Sequence, residues 1–183
     1  FSPDGKNILI ARSLEKAGLW IYGLERGTIS RFTDKEHDSY WGIWSPDGKQ
    51  IVFNFNLGTD SVLNLYRKNS DGTGPVERIS TSNYHQQPKC WSSDGKYLIC
   101  TEGPNPKHNI DITLIPMEGD TAPRPFLNTD HNETNPALSP DGHWLSYISN
   151  ESGQNEVYVV PFPRGDGKYQ ISTKGATYSR WQP

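Results

Sequence analysis

One turn motif occurs four times in this chain, and its period constrains the fold more than any other feature. F-S-P-D-G-K opens at Phe1, W-S-P-D-G-K at Trp44, W-S-S-D-G-K at Trp91 and L-S-P-D-G-H at Leu138. The starts lie 43, 47 and 47 residues apart, and a fifth, W-Q-P, begins at Trp181. Repeats 1–43, 44–90, 91–137 and 138–180, with an overhang at 181–183, account for all 183 residues and leave no segment for a second domain. A fixed period of this length marks one supersecondary unit stacked on copies of itself.

Each period holds the same four short runs. A β-type run follows the turn at 8–11, 51–55, 97–100 and 144–148. A second lies at 19–22, 62–66, 112–115 and 157–160. A third ends in an apolar residue and a hydroxyl: Phe32-Thr33, Ile79-Ser80, Ile171-Ser172, and Leu127-Asn128 with Thr129 next. A fourth leads into the following turn at 40–44, 88–91, 135–138 and 178–181. Four short strands per period is the arithmetic of a β-propeller blade. The predicted fold is therefore an all-β propeller, or part of one, built from four four-stranded repeats. Composition agrees. Apolar residues are only 33% and aromatics reach 11%, while Gly (17) and Pro (14) favour turns over long helices.

The S-P-D-G turn has a physical job. Pro presets φ at the second position of a type I turn, Asp bonds nearby amides, and Gly takes the left-handed conformation that re-enters the strand. The four aspartates, Asp4, Asp47, Asp94 and Asp141, are thus read as hairpin chemistry rather than as a ring of acids.

The repeat, P-x-x-W-S-x-D-G-K with an apolar run behind it, resembles the TolB-like, WD40-like propeller repeat of bacteria across the whole chain. It lacks the Gly-His and Trp-Asp pairs of the eukaryotic WD repeat. Leu19-Trp20-Ile21-Tyr22-Gly23-Leu24, Pro123-Arg124-Pro125-Phe126-Leu127 and the stretch from Ser149 to Pro163 also resemble propellers C-terminal to bacterial serine/threonine protein kinase domains. That resemblance implies a sensor or interaction module of a larger signalling protein, often outside the membrane, with a cytoplasmic setting as the alternative. The same repeat type also precedes α/β-hydrolase peptidase domains, where a propeller filters substrate, and follows winged-helix regulators.

Nothing in the chain supports catalysis. The kinase Gly-rich and H-R-D loops, G-x-S-x-G, H-E-x-x-H, the P-loop and the EF-hand loop are all missing. No apolar run reaches 18 residues, and a net charge of −3 leaves no footprint for nucleic acid or anionic lipid. The expected partner is a protein or small ligand. The chain starts at Phe1 without a leader pattern and reads as cut from something longer. Cys90 and Cys100 flank one predicted hairpin. Buried apolar thiols are the first reading and a cross-strand disulfide the second. Asn132-Glu133-Thr134 and Asn150-Glu151-Ser152 match the glycosylation pattern and are read as chance loop sequence.

The candidate site lies in the loops ahead of each fourth run. His37, His85 and His131 fall seven, six and seven residues before the next repeat start. In TolB-like repeats that run is the innermost strand, so these loops are expected to share one rim of the channel. The candidate ligand-binding set is His37, Asp38, Tyr40, Trp41, His85, Gln86, His131 and Glu133, and His37, His85 and His131 could hold a divalent metal such as Zn²⁺. Solvated loop histidines are the plain alternative, and no other cofactor is implied. His108 and His143 read as surface. Trp44, Trp91 and Trp181, with Phe1 and Leu138, are expected in the inter-blade core. Core packing is also the first reading for Tyr40 and Trp41, with stacking on a sugar or peptide as the second. Residues 178–181 are expected to pair beside 8–11, within one chain or between two copies in a homodimer.

Overall fold

A computed structural model of the chain describes residues 1–13, 16–57, 61–107 and 109–182. His108 lies outside the described residues. The chain forms two compact units, Phe1–Pro88 and Lys89–Pro183. All regular structure among the described residues is antiparallel β-sheet.

The first unit carries β1 (Asn7–Ser13), β2 (Ala17–Gly23) and β3 (Thr28–Arg31) in a three-stranded sheet ordered β1-β2-β3. Its second sheet, β4 (Gly42–Trp44), β5 (Gln50–Phe55), β6 (Asn64–Asn69) and β7 (Glu77–Arg78), has the order β4-β5-β6-β7. Leu19, Phe32, Ile51, Phe53, Phe55 and Tyr66 form the core, with Leu9, Ile21 and Trp44 packed against it. Edge-to-face contacts run from Phe32 through Phe53 and Phe55 to Tyr66, at centroid spacings of 5.7, 5.6 and 5.5 Å.

The second unit is built from β8 (Gln86–Trp91), which begins just before the unit boundary, β9 (Tyr97–Glu102), β10 (Asp111–Pro116) and β11 (Arg124–Leu127), ordered β11-β10-β9-β8. Its other sheet is β12 (Glu133–Leu138), β13 (Trp144–Ser149), β14 (Glu156–Pro161) and β15 (Tyr169–Gln170) in chain order. Ile99, Ile112, Leu145, Tyr147, Tyr158 and Val160 lead its core.

The turns are four copies of one hydrogen-bond frame. Each serine hydroxyl donates to the aspartate two residues on: Ser2 to Asp4, Ser45 to Asp47, Ser92 to Asp94 and Ser139 to Asp141. The same hydroxyl accepts the N–H of the first residue of the following strand, at Asn7, Gln50, Tyr97 and Trp144. The four glycines sit at φ of 71 to 73°, where a Cβ would be strained. The serine hydroxyl, with the backbone N–H two residues on, lowers the pKa of each aspartate. These acids are turn staples, as the motif predicts.

Two expectations fail. Phe1 is 81% exposed rather than buried in a core. Residues 178–181 form no strand, and among the described residues β1 pairs with β2 alone. The tail instead holds to its own unit. Asn135 Nδ2 donates to Thr177 O, Ser179 bonds Ser146, and Trp181 Nε1 donates to Ala137 O at 2.9 Å. The strand expected at 178–181 is therefore not formed.

Candidate functional site

The loops entering β4, β8 and β12 share a second frame, set by the residue six before each repeat start. Asp38 Oδ1 accepts the Ala17 N–H, His85 Nδ1 accepts that of Leu63, and Asn132 Oδ1 accepts that of Ile110. The next residue then returns a bond: Ser39, Gln86 and Glu133 donate their N–H to the carbonyls of Ala17, Leu63 and Ile110. This places His85 in register with Asp38 and Asn132. His37 and His131 stand one residue earlier, in register with Tyr84. Counting from the repeat start suggested near-equivalence, but the bonded register separates His85 from the other two.

The three imidazoles have different surroundings. His37 Nδ1 lies 3.0 Å from Asp34 Oδ1, and its ring is 5.0 Å from Phe55. His85 spends Nδ1 on a backbone amide, so a neutral ring carries its proton on Nε2. The His131 backbone N–H donates to the Thr129 hydroxyl. Among the described residues no three His, Cys, Asp or Glu side chains gather as a metal-ligating group.

Tyr40 and Trp41 correct the core-packing reading. They are 40% and 47% exposed, with ring centroids 5.6 Å apart. Their backbone is nonetheless fixed. Both N–H groups donate to Asn54 Oδ1 at 3.0 Å, and Trp41 O accepts the Asn54 N–H. Asn54, the last but one residue of β5, is fully buried, and its side chain takes the place of a strand partner for two residues. The signal was readable, since a lone Asn interrupts the apolar run 51–55. On the same loop, Asp38 donates its N–H to Asn56 Oδ1.

Gln86 and Glu133 are both buried and occupy equivalent positions. Gln86 Oε1 accepts the Ser80 hydroxyl. Glu133 Oε1 accepts the Thr129 hydroxyl, while Oε2 is buried with no partner among the described residues. Burial pushes the Glu133 pKa up, with repulsion from Asp111 a smaller cause. Asp111, which the sequence did not single out, also has its pKa raised by burial, and its Oδ1 has no partner among the described residues. Gln86 and Glu133 therefore act inside the frame and present no ligand surface.

No family model matches the chain. It is 28% identical over 170 residues to the uncharacterized peptidase YuxL of Bacillus subtilis (strain 168), covering 87% of this chain and 23% of that protein. It is 24% identical over 178 residues to the Tol-Pal system protein TolB of Francisella tularensis subsp. mediasiatica (strain FSC147), covering 96% of this chain and 40% of that one. Among solved structures, TolB from Acinetobacter baumannii superposes with a TM-score of 0.74 at 21% identity over 96% of this chain and 43% of its own. A puromycin-hydrolyzing peptidase of Mycobacterium tuberculosis gives 0.72 at 16% identity, over 92% and 30%. The chain spans less than half the length of the curated relatives it matches. The fold is that of the TolB-like β-propeller.

Proposed function

We propose that the chain is a non-catalytic recognition module of a larger bacterial protein, and that it binds a protein partner through the loop carrying Tyr40 and Trp41. The observation that carries this reading is the exposed aromatic pair pinned to buried Asn54. Tyr and Trp supply large contact area with few rotatable bonds, and they dominate binding hot spots. A loop whose amides are already bonded loses little further freedom on binding. His37 and Asp38 flank the pair, while His131 stands in the equivalent loop of the second unit. The sensor reading sets the module outside the membrane, within a receptor-type signalling protein, as in the kinase-associated propellers that the sequence resembles.

A second reading, a substrate-filtering propeller of a peptidase, is favoured by the match to YuxL and by the fold of the mycobacterial peptidase. The flanking gene separates the two: a hydrolase domain beside the repeats favours the second, a kinase domain and membrane helix the first. The binding claim itself is tested by selecting peptides from a random display library on the purified chain. Trp41→Ala should lose the selected peptides while keeping the wild-type melting curve. Peptides retained by Trp41→Ala would refute the assignment.

A further inference from the structure

A cavity of about 900 Å³ opens between the two sheets of the first unit, beside the first two turns. The corresponding space in the second unit is filled. There Tyr97 and Phe126 both pack on Phe162, at 6.1 and 5.6 Å between ring centroids. The frame identifies the matching positions. Asn7 and Tyr97 each donate their N–H to a turn serine. Ser70 and Phe162 each donate theirs to the residue before the first-turn strand, at Lys49 O and His143 O. Where the second unit has Tyr97 and Phe162, the first has Asn7 and Ser70, and both line the cavity. Phe126 is the extra residue of a bulge in β11 that β3 lacks; there Ser30 and Arg31, which both line the cavity, pair regularly with Ile21 and Trp20. Two small polar side chains at plug positions keep this space open.

The walls have a consistent chemistry. Phe32, Trp44 and Ile21 supply an apolar side, and Asp4, Asp47 and Asp71 supply carboxylates. Each Oδ1 is engaged by its own turn. Oδ2 of Asp4 and of Asp71 makes no hydrogen bond or ion pair among the described residues. Hydrogen bonds from Ser2, Ser45 and Thr73 respectively lower the three pKa values, so all are ionised at neutral pH. The cation in the lining, Arg31, directs Nε to the carbonyls of Thr33 and Asp34. Lys68 Nζ, which is not in the lining, already stands 5.6 Å from the Phe32 centroid, so the aromatic wall offers a ligand apolar contact and the carboxylates supply its charge partner. A volume of this size is within the range of small-ligand sites.

We propose that this cavity binds a cationic group on an aliphatic stem, the chemistry shared by lysine and arginine side chains and by free polyamines. The stem lies along Phe32, Ile21 and Trp44, and the charge faces Asp4 and Asp71. The site is separate from the Tyr40–Trp41 loop, so either assignment can fail without the other.

The test is an NMR titration of the ¹⁵N-labelled chain with Nα-acetyl-lysine methylamide, Nα-acetyl-arginine methylamide, spermidine and uncharged Nα-acetyl-norleucine methylamide. The cationic probes should shift Asn7, Ser30 and Asp71, and the norleucine amide should bind about tenfold more weakly. Shifts from the amino-acid amides assign a peptide side chain as the source, whereas shifts from spermidine alone assign a free polyamine. Ser70→Phe, which restores the plug of the second unit, should abolish binding, with its melting curve confirming the fold. Asp71→Asn changes only an exposed turn and should weaken binding about threefold. Equal binding of the norleucine amide, or undiminished binding by both variants, would overturn the proposal.

Discussion

Replacing Glu133 by Gln should stabilise the protein at neutral pH. Glu133 is 1% exposed, and its Oε2 has no partner among the described residues. An unpartnered buried polar atom costs about 1–3 kcal/mol and more when it is charged, and it is that excess which a neutral amide removes. The chain holds its own control, since Gln86 occupies the same place in the preceding repeat and accepts a hydroxyl in the same way. In Glu133→Gln the Thr129 hydroxyl keeps an acceptor and the buried charge is gone. The expected gain is about 1 kcal/mol at pH 7, worth roughly 4–8 °C in the melting temperature of a unit this size. The pH dependence has a definite sign. Burial raises the folded-state pKa of Glu133, so the folded protein holds that proton more tightly than the unfolded chain. Stability of the wild type therefore falls as pH rises from the ordinary glutamate range through the folded pKa. Below that range Glu133 is protonated in both states, and the advantage of the variant should vanish. Urea unfolding of both proteins at pH 7 and about pH 4 reads the difference. A variant less stable at pH 7, or a gain unchanged by pH, would refute the reasoning.

Gly42→Ala should cost about 1–3 kcal/mol by overpacking, because a Cβ there would stand 2.6 Å from Leu19 Cδ1 and 3.0 Å from Leu9 Cδ2; urea unfolding checks it. Burial pushes the Cys90 thiol up to about 11 and raises Cys100 further, and both are free. Ellman's reagent should therefore leave fully buried Cys100 unlabelled until denaturant is added and label half-buried Cys90 slowly, and prompt native labelling of both would contradict their raised pKa values. Calorimetry with Zn²⁺ should give the same heat for the wild type and for a variant lacking His37, His85 and His131, because no ligating group forms among the described residues. The open edge of β1 and the strandless tail 178–181 are the two halves of a proposed homodimer. Light scattering at rising concentration should then read twice 20.6 kDa, and a constant 20.6 kDa would reject it.

The repeat made most of the fold legible. The turn at Ser45-Pro46-Asp47-Gly48 and the runs at 51–55 and 62–66 reappear as β5 and β6 because local turn chemistry and alternation dictate them. The loops were less legible because residue counting does not set their register. His85 bonds a backbone amide, whereas His37 stands beside Asp34, a one-residue shift that matched offsets conceal. Tyr40 and Trp41 read as core because aromatics before a strand usually pack inward. Here Asn54 captures their amides, β4 starts only at Gly42, and both rings stay exposed. The aspartates of the turns were read correctly, while Asp111, buried at the start of β10, carried no local signal.

The recognition role is tested most directly by the footprint of a library-selected peptide on the ¹⁵N-labelled chain. The account predicts that amide resonances of Asp38, Tyr40, Trp41 and Asn54 shift together, and that Trp41→Ala removes these shifts. A footprint confined to the outer strands β3, β7, β11 or β15, with residues 37–41 unmoved, would contradict it.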